Sequence, residues 1–235
     1  MKDESQKKNF LSRAILVSMA LGIILIAVSA IAGEINTEKS PQTIIVYTEL
    51  DYPPYSYQDE NGNPIGFNVN ITRSIAKVMD LNVDIQIGPW GDIRKALESG
   101  KADVISGMYY SKEREKVVDF SPPYTIVHHA IFARKGSPSI KSEDELRGKE
   151  IIVMRGDIMN DYVLKNGLSE NPVLVATQAE ALRLLASGKH HYALLAKLPG
   201  LYWVKKLKLS NIVTVGPLIR PSKYCFAFHH DTSHL

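Results

Sequence analysis

Trp90-Gly-Asp-Ile-Arg-Lys-Ala-Leu-Glu-Ser-Gly-Lys-Ala-Asp-Val-Ile-Ser-Gly-Met108 is the stretch on which the fold turns. Residues 90–99 read as a helix stopped by Gly100, and 102–106 as the short strand that follows. The same unit recurs on both sides. Upstream, 43–50 is a β-rich run carrying Ile44, Ile45, Val46 and Tyr47. Asp51-Tyr-Pro-Pro-Tyr55 must turn, because two prolines cannot continue a central strand, and Asp59-Glu-Asn-Gly-Asn-Pro64 is a second turn. Within 70–79, Ile71, Ile75, Val78 and Met79 fall at i, i+4, i+7 and i+8, an amphipathic helix, and 83–87 alternates as a strand. Downstream, 111–116 is a helical turn, Phe120-Ser-Pro-Pro-Tyr124 breaks structure, and 125–133 is extended and apolar.

The pattern then restarts. A short helix at 142–146 precedes a strand at 150–154, a helix at 157–165 closed by Gly167, and a strand at 173–176. A helix at 178–186 ended by Gly188, a strand at 192–195, a helix at 201–206 after Pro199-Gly200, and strands at 212–215 and 224–228 complete it. Alternating strands and helices define an α/β class with mostly parallel sheets. Two successive sets predict two lobes, joined by 125–133 going out and 218–226 coming back.

Composition sets the outer limits. The chain has 235 residues, 45% hydrophobic and 23% charged, which excludes a disordered, collagen-like or polytopic membrane protein. With 28 basic and 25 acidic residues, the net charge of +3 is no nucleic-acid surface. A single cysteine, Cys225, excludes an internal disulfide and a cysteine-based zinc site. One segment stands apart. Lys2, Lys7, Lys8 and Arg13 form a basic n-region (1–13) ahead of 14–32, which carries no charge. That is either a signal peptide core, with Ala30-Ile31-Ala32 before Gly33 as the cleavage site, or a membrane anchor. No cysteine follows, which argues against a lipoprotein. Residues 33–42 then read as a linker, and the remainder is expected outside the cytoplasm.

Several local patterns occur in one order: Tyr52-Pro-Pro-Tyr55; Gly66-Phe-Asn-Val-Asn70 opening a helix; Ser99-Gly-Lys-Ala-Asp103 running into Ile105-Ser-Gly-Met108; Ser111-Lys-Glu-Arg114; Val118-Asp-Phe-Ser-Pro-Pro-Tyr124; and Leu146-Arg-Gly-Lys-Glu-Ile-Ile-Val-Met-Arg-Gly156. Together they resemble the family 3 extracellular solute-binding proteins, the type II periplasmic binding fold, across nearly all of 43–229. The flavour is that of the sensor modules of bacterial transmembrane histidine kinases. The resemblance implies two lobes, about 43–128 with 222–235 and about 134–218, closing by a hinge on a small ligand. It places Arg114 on the ligand's carboxylate, for which a guanidinium fork is suited in its own right; a surface salt bridge is the alternative. It lines the pocket with Ser106, Gly107 and Tyr109, puts Tyr52 and Trp90 at the cleft walls or in the core, and sets Glu49 toward an ammonium or side-chain cation.

Two departures bear on the ligand. Where amino-acid binders carry acidic residues late in the second lobe, Gly188-Lys-His-His-Tyr-Ala-Leu-Leu-Ala196 supplies His191 and Ala196. Where they present hydroxyls after Gly156, this chain has Asp157, a helix N-cap or a charge in the cleft. Related domains add a helix after the returning strand, and Thr232-Ser-His-Leu235 reads as its first turn, as in a truncated chain. Neighbouring histidines on a strand point to opposite faces, so His128-His129, His190-His191 and His229-His230 are not chelating pairs and no metal or cofactor is expected. The functional expectation is a non-enzymatic module binding an amino acid or related carboxylate, serving an ABC permease or, as an anchored sensor, a cytoplasmic output domain. A cleft enzyme of the cyclohexadienyl or arogenate dehydratase type, using acids such as Glu49, is the minor alternative.

Overall fold

In the computed structural model, residues 43–232 are described; the apolar segment 14–32, the linker 33–42 and residues 233–235 lie outside them. Strand β1 (Ile44–Glu49) is flanked in parallel by β4 (Val83–Gly88) and β5 (Val104–Tyr109). The hairpin β2 (Tyr57–Gln58) and β3 (Pro64–Ile65) fills the first connection. Helices α1 (Phe67–Met79) and α2 (Trp90–Glu98) return the chain between the parallel strands. A second parallel trio, β8 (Ile151–Met154), β9 (Val173–Val175) and β10 (Tyr192–Ala196), carries α3 (Ile158–Lys165), α4 (Gln178–Ala186) and α5 (Lys197–Lys206).

Two long strands join the trios. β7 (Thr125–Arg134) runs out along β10, and β11 (Ile212–Phe228) returns antiparallel to β7 and then β5. The short β6 (Asp119–Phe120) pairs with the end of β11. The sheet order is therefore β4-β1-β5-β11-β7-β10-β8-β9, two parallel lobes bridged by an antiparallel pair. The sequence predicted two strands at 212–215 and 224–228; the chain forms one, kinked by register shifts between Val215 and Ile219 and between Ile219 and Ser222. A bulged strand bends and twists locally, which lets β11 serve both lobes.

Each lobe buries both faces of its sheet, as parallel sheets do. Because side chains alternate across a strand, Ile151 and Val153 pack with Met159 and Val163 of α3, while Ile152 packs with Leu182 and Leu185 of α4. In the first lobe, Ile105 lies with Ile93 and Leu97 of α2, and Val46 and Val104 lie on the opposite side with Ile71. Each such leucine, isoleucine or valine stabilises by about 1.5–3 kcal/mol on full burial.

Three sequence expectations need correction. α1 starts at Phe67 rather than residue 70, because the turn before it satisfies the first helical amides: Phe67 N–H donates to the Pro54 carbonyl (3.1 Å) and Asn68 N–H to that of Tyr55 (2.8 Å). Gly66 permits this approach with φ of +118°; a Cβ there would sit 2.5 Å from the Tyr55 oxygen. The buried face of α1 is Asn68, Val69, Thr72 and Ala76, leaving Ile75, Val78 and Met79 exposed. Finally, α5 begins at Lys197 and contains Pro199 and Gly200. Proline costs nothing in a first turn, where its missing N–H has no partner, and Gly200 lies so close to Phe132 that a Cβ would stand 2.7 Å from ring carbon Cε2.

Candidate functional site

Crevices in open α/β sheets lie at the carboxyl ends of the strands. Here those ends carry Glu49 (β1), Trp90 (after β4), Tyr109 (β5), Asp157 (after β8) and Ala196 (β10), and the two lobes bring them together. Arg114, in a short 3₁₀ turn at Arg114–Lys116, is only 2% exposed. Its Nη2 donates to Asp161 Oδ2 (2.9 Å) and to the Gly156 carbonyl (3.1 Å), both in the second lobe. Nη1 reaches the Tyr109 carbonyl at 3.4 Å, and Nε is buried without a partner. The guanidinium lies 5.6 Å from the centre of the Trp90 ring.

Gly156 is the point where the first lobe grips the second. Its carbonyl accepts from Trp90 Nε1 (2.9 Å), Arg94 Nη1 (3.2 Å) and Arg114 Nη2 (3.1 Å). The residue has φ of +70°, a left-handed turn that glycine adopts without strain, and its N–H donates to Asn160 Oδ1 (3.1 Å). An exposed ion pair, Lys165 with Glu113 (2.7 Å), crosses the seam nearby. At the other side of the cleft Trp203 Nε1 donates to the Asp51 carbonyl at 3.3 Å. Beside that bond, Tyr57 and Tyr202 wall a recess of about 170 Å³.

The acidic residues meet in the interior. Asp157 holds the N-cap position of α3 but makes no capping hydrogen bond, and it is buried. Burial pushes its carboxyl up to about 6, with Asp161 adding to the rise and Arg114 and the amides of Ile158 and Met159 opposing it. The Glu49 carboxyl, at the end of the β1–β4 ladder, is buried with no hydrogen bond or ion pair among the described residues. Burial raises it well above the ordinary carboxylate range, the charges of Asp157 and Asp51 raise it further, and Arg114 opposes. Burial likewise raises Tyr52, Tyr109 and Tyr224.

Those tyrosines form an aromatic wall. The Tyr52 and Tyr109 hydroxyls are hydrogen-bonded, and the Tyr109 ring lies 4.9 Å from Tyr224 and 5.0 Å from His129. Tyr52 and Tyr109 also pack against Ala196. Ser106 is buried with an unpartnered Oγ, and its carbonyl accepts from the Tyr124 hydroxyl (2.8 Å). Gly107 is covered by Tyr224 and by Asn68, whose Nδ2 would stand 2.5 Å from a Cβ there, so it presents backbone only. The structure thus gathers Arg114, Glu49, Tyr52, Trp90, Tyr109 and Asp157 at the seam and leaves Ser106 and Gly107 behind the tyrosines. His191 lies outside this group, 3.8 Å from Glu150.

Sequence reasoning missed Asp161, Asn68 and Tyr224. Asp161 had a signal: it lies four residues after Asp157, on the same helix face. Asn68 links Tyr224 (3.2 Å) and Tyr124 (3.0 Å), a role that depends on pairings only the fold reveals. Among the described residues no three histidine, cysteine, aspartate or glutamate side chains are placed to hold a metal, and no helix is long and apolar enough to cross a membrane.

This is a two-lobed, cleft-centred α/β module of the type II periplasmic binding class. Residues 44–216 match the bacterial extracellular solute-binding proteins, family 3, and the chain belongs to that family. Among its relatives is the L-cystine-binding protein TcyJ of Escherichia coli (strain K12), 31% identical over 159 residues that cover 66% of this chain and 60% of that protein. The arginine-binding extracellular protein ArtP of Bacillus subtilis (strain 168) is 34% identical over 127 residues, 54% of this chain and 49% of that protein. The matched stretches thus span less than two thirds of these curated relatives. A crystal structure of a histidine kinase sensor domain with similarity to periplasmic binding proteins superimposes with a TM-score of 0.80 at 41% identity, covering 84% of this chain and 86% of that one.

Proposed function

We propose that this module binds a small solute of the amino-acid class between its lobes, with Arg114 on the carboxylate and Glu49 and Asp157 on the cationic group. The observation that carries the reading is the buried Arg114 guanidinium with an unpartnered Nε, set at the same seam as two buried carboxyls that make no ion pair among the described residues. Buried charges are otherwise paired, so groups left like this are poised for an outside counter-charge. Ala196 offers no carboxylate, so the ammonium falls to Glu49 and Asp157. The named relatives bind cystine and arginine, which have both kinds of group. No step of this reading requires bond chemistry, and the family is one of binding proteins.

The use made of closure is sensing. The 41% identity to a histidine kinase sensor domain, over most of both chains, exceeds the 31% and 34% to the transport-type relatives, and it favours an output domain over an ABC permease as partner. Residues 14–32 then act as an uncleaved anchor, with the binding module outside the cytoplasm.

Thermal unfolding against a panel of amino acids, polyamines and dicarboxylates tests the binding reading. A ligand at 100 times its Kd adds about 2.7 kcal/mol, or roughly 5–10 °C for a domain of this size. The shift should shrink in Arg114→Ala, which removes a proposed ligand contact and a bond between the lobes at once. A cooperative transition that no ligand moves refutes the reading. An N-terminus at Gly33 in the mature protein refutes the anchored sensor alone.

A further inference from the structure

Arg114 has five N–H donors, and with the lobes together the second lobe occupies part of the guanidinium itself. Asp161 reaches it from α3 at 2.9 Å, with the aspartate side chain 47% exposed and the arginine 2%. An ion pair with one partner buried is less screened than a surface pair, so Asp161 offsets much of the attraction that Arg114 holds for a second carboxylate. Glu49 and Asp157 make no ion pair among the described residues; the nearby cation that favours both is the same Arg114. The cleft therefore presents three carboxyls to one guanidinium, lined by Tyr52, Tyr109 and Trp90, whose ring faces attract cations.

We infer that Asp161 is a specificity-determining residue: by neutralising Arg114 from the opposite lobe, it turns the site toward net-cationic solutes, guanidinium or ammonium compounds whose carboxylate contributes little to affinity. The inference rests on the solute-binding reading above and refines its ligand class. The Arg114–Asp161 contact crosses the lobe seam, so the neutralisation is greatest when the lobes are together. In the open arrangement Arg114 is free to attract a carboxylate, and in the closed one the cation dominates.

Titration calorimetry with arginine and with agmatine, which is arginine without its carboxylate, separates the possibilities. The proteins compared are the intact chain, Asp161→Asn and Lys165→Gln. In the wild type the two ligands should bind within about threefold of each other. In Asp161→Asn, arginine should gain about tenfold over agmatine, or about 1.4 kcal/mol. Lys165→Gln breaks the other seam ion pair, with Glu113, without touching Arg114, and should leave the wild-type ratio unchanged. A shift of the ratio in Lys165→Gln equal to that in Asp161→Asn would make lobe closure the cause and overturn the inference. So would a wild type favouring arginine by about 100-fold, or an unchanged ratio in Asp161→Asn. If the panel identifies a different amino acid, that compound and its decarboxylated amine replace the pair. Failure of every panel member to bind overturns the solute-binding reading itself, and this inference with it.

Discussion

Asp157→Asn should make the protein more stable at neutral pH, although it removes a residue assigned to the ligand. Asp157 is 4% exposed and its carboxyl is raised from an ordinary 3.8 to about 6, chiefly by burial. A carboxyl raised in the folded state binds its proton more tightly there than in the unfolded chain. Stability from this group is therefore complete below about pH 4, declines as pH rises toward 6, and stays reduced above it. At 1.36 kcal/mol per pK unit, the span from 3.8 to about 6 is about 3 kcal/mol. An asparagine of the same shape has no charge to bury. It also relieves Glu49, which the Asp157 charge raises. Arg114 keeps Asp161 and the Gly156 carbonyl as partners, so no cation is stranded. Urea unfolding should show Asp157→Asn more stable than wild type by about 2–3 kcal/mol at pH 7.5 and by under about 0.5 kcal/mol near pH 4, with the slope in urea unchanged. Equal stability at pH 7.5, or a gain of the same size at both pH values, would refute the argument that an ionised Asp157 is held in the interior against its own desolvation. The same substitution should weaken binding of a cationic solute, separating a cost in stability from a gain in function.

Two further outcomes follow from the packing. Gly107→Ala would drive a Cβ to 2.6 Å from Tyr224 Cζ and 2.5 Å from Asn68 Nδ2, both buried; overpacking of this kind costs about 1–3 kcal/mol. Calorimetry should find Tm lower by roughly 2–12 °C at about 2–4 °C per kcal/mol, and an unchanged Tm would mean that the tyrosine wall yields easily. Arg94→Ala removes one donor to Gly156 (3.2 Å) from a side chain whose other partner is Glu98 (2.8 Å), outside the acid cluster. It should weaken arginine and agmatine by the same factor, about two- to tenfold for one hydrogen bond, and a selective loss of either would contradict its assignment to closure alone.

The alternation of strands and helices was legible because it rests on local periodicity and on glycine stops, and both trios of parallel strands formed where the pattern placed them. Helix starts were less legible. The first amides of α1 are satisfied by carbonyls twelve or more residues upstream, a contact that local sequence does not encode. The buried face of α1 was misread for a related reason. Asn68 and Thr72 face inward because Asn68 bonds to Tyr224 across 156 residues, while Ile75, Val78 and Met79, the apolar stripe, stay outside. At the site, Arg114 and Glu49 were legible only through the family resemblance that places them, since Arg114 stands among Lys112, Glu113, Glu115 and Lys116 and nothing local marks it. The tyrosine wall did not: its assembly depends on the register that sets Tyr224 opposite Tyr109, and register is a property of the pairing, not of either strand.

A ligand shifts a two-state equilibrium only by its differential contacts with the two states, and the segment from Met154 to Asp161 shows where those differences reside. Gly156 offers one carbonyl to three donors of the other lobe, and five residues on, Asp161 offers a carboxylate to one of the same three. Arg114 thus belongs to the closure contacts and, in the function proposed above, to the ligand contacts as well. A solute that relies on Arg114 competes with the second lobe for its N–H donors and gains less from closing than its own contacts suggest. A solute held by Glu49 and Asp157 breaks no ion pair, because the guanidinium that favours both carboxylates is bonded to Asp161. It also removes the repulsion between carboxyls that face one another from opposite lobes, a repulsion that exists only when the lobes are together. Closure is therefore coupled more strongly to the cation than to the carboxylate, and it is the cationic end of the solute that a sensor built on this fold would report.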